Sequence, residues 1–258
     1  MASSRRSLLT GALVLAAGYS TVRFGLPTLG QLFAEDLEFD PVAEPAGFRR
    51  MSGGPSSVGF DPFVGLSDGD SAEVRDAAAL VKGRICEALF GSSQAAAGVV
   101  PVASFSDYYC PFCRVLTQRL ARMEDAADGA IRVSWHELPL LGEGSVIAAK
   151  AALAAKRQGA YVAFHERLMR TPFRPTPGYL SALAEDLGID EARLVSDMES
   201  ADVLQEIEQS LALARVFGFI GTPAMVVGRT VVQGDLDEVT WARLIERERA
   251  DGPIQACA

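Results

Sequence analysis

The chain has 258 residues, 49% of them hydrophobic and 22% charged, with a mean hydropathy of +0.17, enough apolar surface for one substantial core, which excludes a wholly disordered protein. Its 33 acidic and 24 basic residues give a net charge of −9, so no basic surface is offered to a phosphate backbone and no nucleic-acid partner is expected. Four cysteines are too few for a disulfide scaffold, but two of them lie three positions apart, and their placement carries the functional argument.

The first 34 residues hold Arg5, Arg6 and Arg23 and no acid, and Ser7 to Val22 is uncharged. A positive start followed by such a run has the form of an export signal. It is short for a bilayer span, and an uncleaved tether to the inner membrane is the other expectation. Ser4-Arg5-Arg6-Ser7-Leu8-Leu9 resembles a twin-arginine export motif. Either form places the remainder in the periplasm or another extracytoplasmic space, with a charge of −12 once the leader is discounted. Residues 35–70, with four prolines, six glycines and eight acids against two arginines, read as a Pro/Gly-rich acidic linker. Phe39, Phe48, Phe60 and Phe63 leave open whether part of it docks on the domain that follows, residues 71–258.

In that domain, Val74, Ala78, Val81, Ile85 and Leu89 predict a helix from Ser71 to Phe90, stopped by Gly91. Val99 to Phe105 is a short, nearly continuous apolar run, as in a strand buried on both faces. Cys110-Pro111-Phe112-Cys113 follows, and from Phe112 apolar residues recur at helical spacing up to Asp128-Gly129. Ile131, Val133 and Trp135 then alternate with polar residues, completing a β-α-β unit with the cysteine pair at its strand-to-helix turn. Residues 144–217 read as an uninterrupted helical block. Ala224 to Val227 and Thr230 to Gln233 form a hairpin about Gly228-Arg229, and Asp237 caps a last helix to Arg249.

Pro111 suits the first position of a helix, where a missing N–H costs nothing, and Cys110 thereby becomes the N-cap. Its sulfur faces unpaired N–H groups and the positive end of the helix dipole, which favour thiolate over thiol. Cys113, one turn further in, is the shielded resolving thiol. A zinc site would need two more ligands, and His136, His165, Cys86 and Cys257 are scattered, so no metal is expected. The exchange chemistry itself requires no cofactor.

The run FSDYYCPFC, the downstream Gly221-Thr222-Pro223-Ala224, and helices inserted between the two halves resemble the DsbA family of thioredoxin-fold thiol-disulfide oxidoreductases. ELPLLG at 137–142 and AFHERLM at 163–169 are similar to further family segments. The resemblance implies an α/β thioredoxin fold with an inserted helical domain, and a cis Pro223 facing the cysteine pair. It also implies that Thr222 pairs through its backbone with a bound peptide, beside Pro111 and Phe112. Clients would be extended cysteine-containing proteins, oxidised through a mixed disulfide at Cys110 resolved by Cys113, with a DsbB-like membrane redox partner or its reducing equivalent. The same site would also serve a reductase or isomerase, and a tethered peptide-binding or chaperone module is the reading without redox chemistry. Many members carry His where this chain has Phe112, and some carry a buried acid on the first strand, where this chain has none. Asp107 is read as a solvated turn residue, with proton transfer involving Cys113 as the alternative; His136 and Glu137 are read as a surface pair and His165 as packing. In an exported protein Cys86 and Cys257 are expected to pair, the alternative being free thiols.

Overall fold

The computed structural model describes residues 36–58, 76, 79, 81, 83–91, 98–126, 129–254 and 257. The export segment expected in residues 1–34 lies outside them. Among the described residues no helix is long and apolar enough to cross a membrane. Three short strands come first: β1 (Asp40–Pro41), β2 (Arg49–Met51) and β3 (Ser57–Val58). Then follow α1 (Ile85–Phe90), β4 (Val100–Ser106), α2 (Pro111–Glu124) and β5 (Ile131–Glu137). The helical block comprises α3 (Glu143–Lys156), α4 (Tyr161–Arg170), α5 (Pro177–Leu187), α6 (Glu191–Asp197) and α7 (Ala201–Val216). The chain returns to the sheets through β6 (Gly221–Thr222), β7 (Ala224–Val227) and β8 (Thr230–Gln233), and ends in α8 (Glu238–Asp251).

β4 and β5 pair in parallel, with Phe105 opposite His136 and Ser106 opposite Glu137. β4 pairs antiparallel with β7, and β7 with β8. Successive β4 residues point to opposite faces. Ala103 and Phe105 join Ala224, Val226 and Val231 in a core with Ile85 and Leu89 of α1 and Leu213 of α7. α8 packs on β4 and β7, burying Trp241, Leu244 and Ile245. The helical block has its own core, where α3 supplies Ala148, Ala151, Ala152 and Ala155, whose small side chains let Phe164, Leu168 and Leu183 approach closely.

Two expectations are corrected. Part of the 35–70 stretch is not a spacer: β2 pairs in parallel with β8 and β1 with β2, so among the described residues the sheet has six strands in the order β1-β2-β8-β7-β4-β5. Phe48 is buried against Phe217, with ring centroids 5.2 Å apart. Arg49 reaches Thr230 Oγ1 at 2.8 Å and the carboxylates of Glu248 and Asp251 at 2.5 and 2.8 Å. These charge-assisted bonds hold the arm where its sequence offers little apolar periodicity. Second, the helix expected over 71–90 is broken, since α1 starts at Ile85 after Gly83 and an N-capping Arg84 at φ −141°, ψ 28°. Of residues 71–82, only 76, 79 and 81 are described, and all three are helical, so the expected helix is interrupted at 83–84 rather than absent. A disulfide joins Cys86 of α1 to Cys257, across a sequence separation of 171.

Candidate active site

The end of β4 and the start of α2 set the cysteine geometry. Cys110 is extended, at φ −80° and ψ 117°, and caps α2, accepting the Cys113 N–H on its sulfur at 3.3 Å. Pro111 occupies the first turn, where no N–H is needed. Both cysteines are free thiols with no exposed surface, and they belong to the core of the helical block. Phe112 between them is part-buried against the same core, and Pro111 is exposed. The Thr222–Pro223 bond is cis, and the Cys110 thiol donates to the Thr222 carbonyl at 3.2 Å.

The two sulfurs differ electrostatically. A hydrogen bond from the Cys113 thiol brings the Cys110 pKa down to about 6; burial opposes the shift, and the side chains of Ser57 and Thr222 and the Cys113 N–H add to it. Burial pushes Cys113 well up, and its bond to Cys110 adds to the rise. One thiolate is therefore available near neutral pH while the other proton is retained. This is the asymmetry expected of an attacking and a resolving thiol.

The surroundings hold residues whose environment the sequence did not reveal. Asp107 is 1% exposed rather than solvated. Its carboxylate accepts from the N–H groups of Tyr109, Leu140 and Leu141 and from Ser145 Oγ, at 2.7 to 2.9 Å. It thus ties the cysteine turn to the loop before α3. Burial pushes its pKa up, against those hydrogen bonds. Glu137 is likewise buried rather than on the surface, and accepts from Tyr108 and Tyr161 at 2.6 and 2.7 Å. Tyr108 also meets His165 Nδ1 at 2.8 Å, so His165 belongs to a polar network within its packing. His136 stacks on Phe105 and bonds to the Leu89 carbonyl at 2.8 Å, and burial brings its pKa down to about 4. Ser57, on β3, pairs with Thr222, whose carbonyl meets the Cys110 sulfur, and no local pattern in its Pro/Gly-rich stretch marked it. The buried positions of Asp107 and Glu137 had one legible signal: each lies at a strand end followed by aromatic or apolar residues, Tyr108-Tyr109 and Leu138-Pro139-Leu140.

A family profile described as a DSBA-like thioredoxin domain matches residues 101–246. Among solved structures, a thioredoxin-like oxidoreductase from Silicibacter pomeroyi is 38% identical, with a TM-score of 0.58, covering 64% of this chain and 97% of that one. A periplasmic thioredoxin-like protein from Salmonella enterica serovar Typhimurium is 27% identical, with a TM-score of 0.56, covering 64% and 96%. A curated sequence described as a Na(+)/H(+) antiporter NhaA, from Herminiimonas arsenicoxydans, is 26% identical over 148 residues, which are 57% of this chain. The chain spans only 24% of that protein's length.

Proposed function

The chain belongs to the DSBA-like thioredoxin domain family and is a protein thiol-disulfide oxidoreductase; from that premise we propose that it forms disulfides in exported client proteins through Cys110. The observation that carries the reading is the Cys110 sulfur capping α2 and facing the cis Thr222–Pro223 bond; its pKa, lowered to about 6, agrees with the oxidising direction. A stabilised thiolate favours the reduced enzyme, and its disulfide is correspondingly oxidising. In the forward reaction a client thiolate attacks Cys110 in the Cys110–Cys113 disulfide. A mixed disulfide forms and Cys113 leaves with the electron pair, taking up a proton in its buried site. The client's second thiolate then attacks the client sulfur of the mixed disulfide and expels Cys110 as thiolate. In the reverse sense Cys113 resolves the intermediate. Two electrons pass to the enzyme; one client proton ends on Cys113 and the other in solvent, since Cys110 stays thiolate, and a membrane-bound disulfide carrier reoxidises the pair in each cycle.

An extracytoplasmic site of action is supported by the acid-free leader, by the Cys86–Cys257 disulfide, of a kind that persists in oxidising compartments, and by the periplasmic description of the Salmonella relative. Two measurements test the reading. Cys113→Ala should accumulate reducible mixed disulfides between Cys110 and client proteins, and Cys110→Ser should form none. In glutathione buffers the Cys110–Cys113 couple should fall above the thioredoxin value of about −270 mV, toward the range of about −200 to −120 mV held by oxidants. A couple at or below the thioredoxin value would make the protein a reductase, and absence of trapped clients would remove the exchange role.

A further inference from the structure

The backbone edge beside Cys110 is already paired. β3 runs antiparallel to β6 in a two-stranded sheet of its own, with Ser57 opposite Thr222 and Val58 opposite Gly221. Thr222 is the residue whose carbonyl meets the Cys110 sulfur at 3.2 Å, and Ser57 is its partner across the ladder. The fit is close: a Cβ on Gly221 would stand 2.5 Å from the Ser57 carbonyl oxygen. We propose that β3 is a built-in pseudosubstrate, lying where the client's strand must lie, with the Ser57 hydroxyl in the place of the client's sulfur. The proposal rests on Cys110 being the exchanging sulfur.

Disulfide exchange brings the incoming sulfur to bonding distance of Cys110, about 2.05 Å. Cys110 has no exposed surface, so part of its cover must move before a client can reach it. The Gly221–Thr222 edge can pair with one strand at a time. Serine matches cysteine in shape and offers a hydroxyl donor to the thiolate, yet its oxygen cannot enter an S–S bond. The occupant is therefore complementary to the site and chemically inert there.

The arm is held unevenly. Upstream, β2 lies in the main sheet with Arg49 on two carboxylates. Next, Gly54 donates to the Asp235 carbonyl at 2.7 Å, Asp235 donates to that of Pro55 at 3.2 Å, and a Cβ on Gly54 would stand 2.5 Å from the Asp235 oxygen. The tip has a two-residue pairing, and Val58 is 51% exposed. It can lift while its base stays fixed, so it competes with clients at the high effective concentration of a short tether. The site then selects segments able to pair as an extended strand with a cysteine opposite Thr222.

The full chain carrying Ser57→Cys and Cys113→Ala, treated with oxidised glutathione, tests the placement. The introduced thiol and Cys110 together lose two electrons and two protons to one glutathione disulfide, giving two glutathiones and one intrachain bond. Peptide mapping should find position 57 linked to Cys110 as the main product, with Cys86–Cys257 intact. Glutathione on Cys110 without that link would overturn the proposal. Gly54→Val, which crowds the arm's anchorage, should raise the alkylation rate of reduced Cys110 by iodoacetamide several-fold at pH 9, where the sulfur is thiolate in both proteins; an equal or lower rate would overturn the covering role. Neither readout needs a client, so their failure leaves the exchange reading standing. Absence of client trapping in the Cys113→Ala protein would instead count against the exchange reading.

Discussion

Cys110 and Cys113 share one helix turn but experience different surroundings, and their chemistry follows from that difference. The Cys110 thiolate forms near pH 6 because donors converge on its sulfur, while burial keeps Cys113 protonated. The rate of iodoacetamide alkylation in the reduced protein is therefore expected to titrate with a midpoint near pH 6 and to belong to Cys110. A midpoint in the free-thiol range of about 8.5 would show that the convergent donors do not act. Linkage gives the matching stability effect. The lowered folded-state pKa of Cys110 stabilises the reduced protein increasingly from pH 6 toward the ordinary thiol range, and this is lost as pH falls through 6. The oxidised protein lacks that contribution, so the reduced-minus-oxidised difference in Tm should widen between pH 5 and pH 8. At this scale the pair itself was legible, because proline between the cysteines and a helix after them determine which sulfur caps the helix. Ser57 was not: it reaches the site from 53 positions upstream by pairing with Thr222, and a residue brought in by tertiary pairing leaves no mark in its own neighbourhood.

At the level of elements, periodicity located the helical block and the β7–β8 hairpin, and β4 and β5 to within a residue or so, since each buries a regular face. It did not locate β1, β2 or β3. Those strands are two or three residues long, too short for an alternation to register, and they are held by backbone pairing, by Arg49 and by single apolar anchors such as Phe48 and Met51 rather than by a repeating apolar face. The turn between β4 and α2 depends on another such non-local tie, the Asp107 carboxylate. Asp107→Ala would leave three part-buried backbone N–H groups and the buried Ser145 hydroxyl without their acceptor. A destabilisation of about 3 kcal/mol or more is expected, measurable by urea unfolding, with Asp107→Asn less severe because one amide oxygen still accepts. A loss below about 1 kcal/mol would mean that the loop finds other partners or water.

For the whole molecule, the four cysteines divide into a pair that exchanges and a pair that ties. The Cys86–Cys257 bond spans a separation of 171 residues, and chain entropy allows on the order of 5 kcal/mol for a loop of that size, an upper figure because unfolded chains retain structure. Replacing both with serine is expected to lower stability by up to that amount while leaving the Cys110 alkylation midpoint near pH 6. A shift of the midpoint would show that the tie also shapes the site. Acidification acts on the molecule as well: His136, whose pKa is brought to about 4, favours the unfolded chain as pH falls below the ordinary histidine value toward 4.

The arm has a further consequence for a protein that works among unfolded chains. An uncovered β8 would present a row of backbone donors and acceptors on which any extended segment could nucleate aggregation. β2 occupies that row, and among the described residues the sheet instead terminates at β1, a two-residue strand ending in Pro41, which has no N–H to recruit another. The same short stretch of chain thus gives the sheet a blunt, self-limiting margin, so that adhesion to misfolded neighbours is resisted on the side away from β5.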